Sequence, residues 1–361
     1  TDSVYVAEVP AGLSGNPQRN TVFGIDAGGG LTTGENNTFI GNDAGLGNTT
    51  SSSMVAIGWE SALSTNSNAN SVSIGARANR GGGSSNGVII GASAAYNGAA
   101  SNAVVIGQAA GNSSAGNETV LIGQFAGAFG TAASKQIAIG AGQAGRSNTA
   151  DEHMDVGYAA GYSNTSGISN TNIGFEAGYS NTTSGQRTCI GWRAGKSNTG
   201  VSNTFIGRSA GSVSSTGASN VVVGSNCMAF GAIGAQNVAI GVQAAQSATG
   251  NYNAIVGMQA GQYMTSGNNN TFLGFEAGRN VTIGGSNVVI GYQAMDANTD
   301  GDDNVAIGAN ALGAATSDGR TVAIGVNALK LQNQTFSPMN TAVGYAADDA
   351  NVSGFGRTCI G

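Results

Sequence analysis

Asn304-Val305-Ala306-Ile307-Gly308 recurs, with small variations, from one end of the chain to the other. Nearby copies read Thr321-Val322-Ala323-Ile324-Gly325 and Asn287-Val288-Val289-Ile290-Gly291; distant ones read Asn203-Thr204-Phe205-Ile206-Gly207 and Asn37-Thr38-Phe39-Ile40-Gly41. The anchor glycines (Gly24, Gly41, Gly58, Gly75, Gly91, Gly107 and onward to Gly361) are spaced by about 17 residues, slipping to about 16 in places. A helix pair needs roughly 30 residues or more per repeat, so this period is too short for a helical array. It suits one coil of an all-β parallel β-solenoid, a short strand followed by tight turns. The largest departure lies between Gly325 and Gly344, where Thr335-Phe336-Ser337-Pro338 lengthens a loop.

Composition agrees with that reading. The chain holds 61 Gly and is only 9 % charged, far below the quarter expected of a globular domain. The aliphatic residue before nearly every anchor glycine argues against disorder. Proline is confined to Pro10, Pro17 and Pro338, as sheets require. Net charge is −6 with no basic cluster, which speaks against nucleic-acid binding. No apolar run approaches the roughly 18 residues of a membrane span. Cys189 and Cys227 sit two coils apart, about 10 Å along a stack of 4.8 Å rungs. A disulfide tolerates less than about 7 Å between Cα atoms, so the three cysteines, Cys359 included, read as small apolar fillers.

Residues 1–20 lack the repeat and form an N-terminal cap or linker; residues 21–361 form the solenoid repeat domain. Val4-Tyr5-Val6-Ala7-Glu8-Val9 alternates like a strand before Pro10, Gly12, Gly15 and Pro17 break it. Thr358-Cys359-Ile360-Gly361 is a fresh repeat without a cap, so the repeats are expected to continue past the C-terminus.

Strand geometry divides each repeat into faces. The residue before the glycine (Phe23, Ile40, Ile57, Ile74) and the one two places earlier (Thr21, Val55, Val72, Val221, Val238) share a side. They are expected to fill the coil's own core. The residue between them points the other way, yet it too is apolar: Val22, Phe39, Val105, Leu121, Val222, Phe272. A strand apolar on both faces is buried on both faces. Identical chains packing this second face around a shared axis would bury it, at about 1.5–3 kcal/mol per Val-sized side chain. Ser73, Asp155 and Asn172 interrupt the column and suggest a wet section of that axis. The Asn four before the glycine (Asn20, Asn37, Asn203, Asn220, Asn270) is expected to stack as a hydrogen-bonded ladder. His153 replaces it in one coil and reads as a surface substitution. Runs such as Gly47-Asn48-Thr49-Thr50-Ser51 read as solvated turns.

These repeats resemble the head repeats of YadA-type trimeric autotransporter adhesins. Asn70-Ser71-Val72-Ser73-Ile74-Gly75 and Asn304-Val305-Ala306-Ile307-Gly308 carry that resemblance. They also look like the repetitive shafts of phage tail fibres, through Phe175-Glu176-Ala177-Gly178 and Phe275-Glu276-Ala277-Gly278. The resemblance covers nearly all of residues 21–361. It implies a left-handed β-roll, three chains per fibre, and attachment to a surface. The period here is a few residues longer than in the autotransporter head, and no coiled-coil stalk, membrane anchor or chaperone is visible in this sequence.

Catalytic patterns fare poorly. Gly207-Arg208-Ser209-Ala210-Gly211 matches the hydrolase nucleophile motif, but the one histidine, His153, lies three coils away. Gly140-Ala141-Gly142-Gln143-Ala144-Gly145 matches a dinucleotide fingerprint with no helix to follow it. Asp300-Gly301-Asp302-Asp303-Asn304 offers oxygen ligands to Ca²⁺ without the full spacing of a known loop, and a solvated acidic turn is the simpler reading. No catalytic, cofactor or metal residue is assigned.

One cluster stands out. Tyr158, Phe175 and Trp192 follow the anchor glycine on three successive coils, and Tyr162 and Tyr179 stack four residues on. Glu176 and Arg193 lie beside them. An aromatic ladder of this kind is a candidate glycan-contact patch; a ladder that only stiffens the stack is the plainer alternative. The expected protein is thus a non-enzymatic section of a homotrimeric fibre, extracellular, on a virion tail or a bacterial surface, whose partners are its own copies and a cell-surface glycan or protein receptor. A phage tail fibre is preferred to a bacterial adhesin. A self-assembling or ice-binding filament ranks lower, because the Thr column is expected to point inward.

Overall fold

Every repeat forms one coil bearing one three-residue strand, in a computed structural model that describes residues 4–5, 19–63, 68–98, 101–113, 116–129, 134–213, 215–317, 319–333 and 339–361. Pro10, Pro17, Pro338, most of the 1–20 segment and the loop at 335–338 lie outside the described residues. The fold is an all-β parallel solenoid of about 17 residues per coil, with no helix among the described residues. The chain divides into two compact units, Thr1–Gly185 and Gln186–Gly361. Unit 1 carries strands β1 (Val4–Tyr5) to β11 (Thr171–Ile173), and unit 2 carries β12 (Thr188–Ile190) to β22 (Thr358–Ile360).

Within each unit, neighbouring strands pair in parallel with no slip. Thr204↔Val221, Phe205↔Val222 and Ile206↔Val223 are typical. Val4 and Tyr5 pair with Thr21 and Val22, so a strand precedes the first repeat coil. The shared register places like residues of successive coils in columns, and the columns decide what each position does.

The anchor glycine is obligatory twice over. At Gly274 φ is +141°, a conformation closed to side chains, and an added Cβ would sit 2.4 Å from the Gly291 carbonyl oxygen of the next coil. Three further residues per coil take left-handed φ: in this coil Asn269 (+58°), Glu276 (+55°) and Gly278 (+59°). For non-glycine residues that costs roughly 1 kcal/mol each. Inter-coil hydrogen bonds offset it: the N–H groups of Asn269, Glu276 and Gly278 reach the carbonyls of Asn251, Met258 and Ala294 at 3.0–3.1 Å.

The face assignment expected from sequence is inverted. The middle strand residue fills the coil: Phe39, Ile89, Val105, Phe205, Val222 and Phe272 are all fully buried. The flanking residues look outward, half-buried to exposed, as at Thr271 and Leu273 of β17 (Thr271–Leu273). Period two says that neighbours oppose one another; it cannot say which is inside when both are apolar. Ser73, Asp155 and Asn172 accordingly lie in the coil's own core and not on an axis between chains. The Thr/Val column points out, not in.

Inside, size is balanced between two positions, the middle strand residue and the residue four after the glycine. A Cβ on Gly278 would lie 2.8 Å from the Phe272 ring, so the large core residue is matched by glycine. Where the strand supplies only Ala306 or Ala323, that second slot holds Leu312 or Leu329, both fully buried. Complementary pairing of this kind keeps coils of different sequence at native packing density. Cys227 occupies the small-residue slot, buried, its thiol pushed up to about 12 by desolvation; Cys189 is buried and Cys359 half-buried, and none of the three is in a disulfide.

The asparagine ladder is present and buried. In unit 2, Asn237 Oδ1 accepts both the backbone N–H (2.9 Å) and the Nδ2 (3.1 Å) of Asn253, whose own Nδ2 also reaches Gly267 O at 2.9 Å. The backbone N–H to Oδ1 bond repeats from Asn203 through Asn304 to Thr321 N. His153 is not a surface substitution: it is 3 % exposed, its Nε2 lies 3.2 Å from Asn164 Nδ2, and burial lowers its pKa to about 4. The turns are also less solvated than they read. Asn48 and Ser51 are buried, the Asn48 side chain accepting the Ser51 N–H at 3.2 Å. Polar side chains there replace water as partners for turn backbone.

Candidate ligand-binding recess

The aromatic slots of unit 1 come together as the register requires. β10 (Met154–Val156) pairs with β11, Val156 opposite Ile173, so the residues after Gly157 and Gly174 stand one rung apart. Tyr158 and Phe175 stack with centroids 5.2 Å apart at 10°. Tyr162 and Tyr179 stack at 4.9 Å and 7°. The Arg146 guanidinium lies 5.3 Å from the Tyr162 ring centroid and 4.5 Å from that of Phe129, and Nη1 bonds the Tyr162 hydroxyl.

Between the two stacks is a recess of 230 Å³, with Tyr158, Tyr162 and Tyr179 as walls and Gly142, Gln143, Ala159 and Glu176 completing its lining. Its cause is local. Gly140-Ala141-Gly142-Gln143-Ala144-Gly145 has one more residue between anchor glycine and small pair than Gly157-Tyr158-Ala159-Ala160-Gly161 has. The extra residue makes room for the Tyr158 ring: Gly142 has φ +76°, and a Cβ there would lie 2.1 Å from the ring. The apparent dinucleotide fingerprint is thus a turn that shapes the recess. Burial, then Tyr162, Glu176 and Tyr158, raise the Tyr179 hydroxyl pKa, with Arg146 acting against them. The arrangement offers ring faces, phenol hydroxyls and one carboxylate, the groups that grip a sugar ring by C–H stacking and hydrogen bonds.

Trp192 belongs to unit 2, where it is 41 % exposed with the Arg193 guanidinium 4.3 Å over its ring. Two further aromatic platforms use the slot after the glycine, at places where the sequence has no run of three aromatics on successive coils. In unit 1, Arg77 lies 4.3 Å over Trp59, Glu60 binds Arg77 and Arg80 at 3.0 and 2.7 Å, and Arg80 lies 5.4 Å over Tyr96. In unit 2, Phe275 and Tyr292 stack at 5.4 Å, and Glu276 accepts from Gln293 at 2.7 Å.

The other candidate residues take ordinary structural places. Ser209 sits in the turn with φ +55°, its N–H on Trp192 O at 2.8 Å, and no helix follows it. In the acidic turn, Asp302 accepts the Gly285 N–H at 2.7 Å and Asp303 lies 3.9 Å from Arg320. Among the described residues no three His, Cys, Asp or Glu side chains are grouped as a metal would need. No family model matches the chain, and no curated protein is a significant match to it.

Proposed function

We propose that the chain is a section of an adhesive fibre in which three copies, each wound left-handed as the resemblance implies, pack through the outward strand face. One observation carries this: in unit 2 the outward face is mostly apolar along two adjacent columns, the residue before and the residue after the anchor glycine, beside a third column of Val, Ala and Thr. In unit 2 it includes Val238, Ile240 and Val242, then Val256 and Met258, then Leu273 and Phe275 on successive coils. Leu273 is 48 % exposed and Met258 46 %. An apolar stripe of that length is an interface or an aggregation liability, and cyclic packing of copies closes it. Each such side chain, already about half covered by its own chain, contributes about 1 kcal/mol more when a copy covers the rest, and summed over the coils this makes assembly obligate. The role is mechanical, outside the cell, in a phage tail fibre by preference and a bacterial surface adhesin otherwise. The recess of unit 1 supplies the adhesion, taking a glycan on Tyr158, Tyr162 and Tyr179. Tyr162→Ala with Tyr179→Ala is expected to abolish binding to a glycan array or to intact host cells while the assembled mass stays unchanged; undiminished binding would refute the adhesive role of the recess.

The outward Thr positions favour a second reading, an ice-binding filament. Thr265, Thr282 and Thr299 form a column, exposed at Thr265 and Thr299 and half-buried at Thr282, each hydroxyl donating to a carbonyl of the next coil at 2.8–2.9 Å. Thermal hysteresis of the purified protein would support it, and its absence would dismiss it.

A further inference from the structure

Asp155 is the one carboxylate in the inner column of the described coils, and it is fully buried. It stands directly opposite Asn172 in the β10–β11 register, and Asn172 Nδ2 donates to Asp155 Oδ1 at 2.8 Å. The two remaining oxygens of this pair, Asp155 Oδ2 and Asn172 Oδ1, have no hydrogen-bond partner. Two unsatisfied acceptors in one buried pair are costly, and an uncompensated buried charge more so.

A single proton removes the charge penalty. Placed on Oδ2, it makes Asp155 a neutral acid with an O–H to donate, while Asn172 Nδ2 continues to donate to Oδ1. The surroundings leave no other remedy. On β9 (Ile137–Ile139) the residue opposite is Ala138. Gly145 and Gly161 press on the carboxyl from the turns, where a Cβ would lie 2.9 Å from Oδ2 and 2.1 Å from Oδ1. The neighbouring Gln136 amide turns to Gly145 O at 3.5 Å. The buried titratable neighbour on the same coil, His153, is neutral and engaged with Asn164, while Asp151 and Glu152 are exposed. No charged group of the described residues acts on Asp155; burial alone raises its pKa to about 7, with Asn172 working against it.

We propose that Asp155 and Asn172 form a buried proton-binding site, and that release of this proton loosens the two coils that carry the recess. Tyr158 and Tyr162 belong to the Asp155 coil, and Glu176 and Tyr179 to the Asn172 coil. The folded-state pKa lies above the ordinary 3.8, so the stabilisation is complete below that value. It is lost as pH rises towards about 7, and is constant beyond.

Two measurements on the whole chain test this, neither depending on a glycan. Infrared difference spectra between wild type and Asp155→Asn at about pH 5 should show one protonated-carboxyl band that the variant lacks. Hydrogen exchange of the 157–162 and 174–179 amides, corrected for intrinsic rate, should show the ratio of opening in wild type to opening in Asp155→Asn growing on the order of a hundredfold between about pH 5 and pH 7, because His153, which titrates in the opposite sense, is common to both. Asp155→Asn, whose amide cannot ionise, keeps only the His153 contribution, so its opening should not grow over this range. An ionised carboxylate at about pH 5, or the same pH profile in both proteins, would overturn the proposal.

Discussion

Exchanging sizes between two core slots probes the packing rule of the coil. Phe272→Ala removes a fully buried ring and should cost about 3–5 kcal/mol. Gly278→Leu in the otherwise unchanged chain should also destabilise, since its Cβ would lie 2.8 Å from that ring; overpacking costs about 1–3 kcal/mol and left-handed φ roughly 1 kcal/mol more. The double variant reproduces a combination the chain already uses, Ala306 with Leu312 at φ +54°. It should therefore recover to within about 2 kcal/mol of wild type, a coupling of about 3 kcal/mol or more in a double-mutant cycle. Urea unfolding followed by circular dichroism, with hydrogen exchange of the 271–278 amides as a local readout, measures each corner. Additive losses would show that the two slots do not share a volume, and the reasoning would fail.

Asn253→Ala in the middle of the ladder strips the Asn270 N–H and Gly267 carbonyl of their partner. A loss of about 3 kcal/mol is expected, and the same change at exposed Asn268, a turn residue of the next coil, should cost far less, on the order of 0.5 kcal/mol. The pKa of His153 is lowered to about 4 from the ordinary 6.5. It therefore withholds stability at acid pH and returns it as pH rises between those values. His153→Gln, the residue type its neighbouring coil carries at Gln136, should raise stability at about pH 4 by about 3 kcal/mol and change little near neutrality. Thermal melts across pH measure it, and an unchanged acid limb would contradict the burial of the imidazole.

Much of this architecture was readable in the repeat. The glycine period set the coil, because only glycine adopts φ near +141° with a carbonyl 2.4 Å from where a Cβ would be. The asparagine column foretold its ladder. What the repeat could not reveal was which side of Val222 or Phe272 is the inside. Alternation is symmetric, and both sides are apolar here. The outcome rests on the residue four after the glycine, whose size matches the middle strand residue and not its neighbours. Asn48 and His153 were misplaced for a related reason: polarity argues for water only where the chain supplies no partner, and Ser51 N and Asn164 do. The aromatic slots of the recess were legible from their spacing. Its concavity was not, because it arises from one extra residue at 140–145 disguised as a nucleotide motif.

The outward columns around Ile240, Leu273 and Tyr292 must be covered if the account is right, and sedimentation equilibrium of the purified chain asks that most directly. A single species of three times the 35.3 kDa chain mass, falling to monomer in Ile240→Asp with Leu273→Asp, is the predicted result. A well-behaved 35.3 kDa monomer with those side chains open to solvent would contradict it.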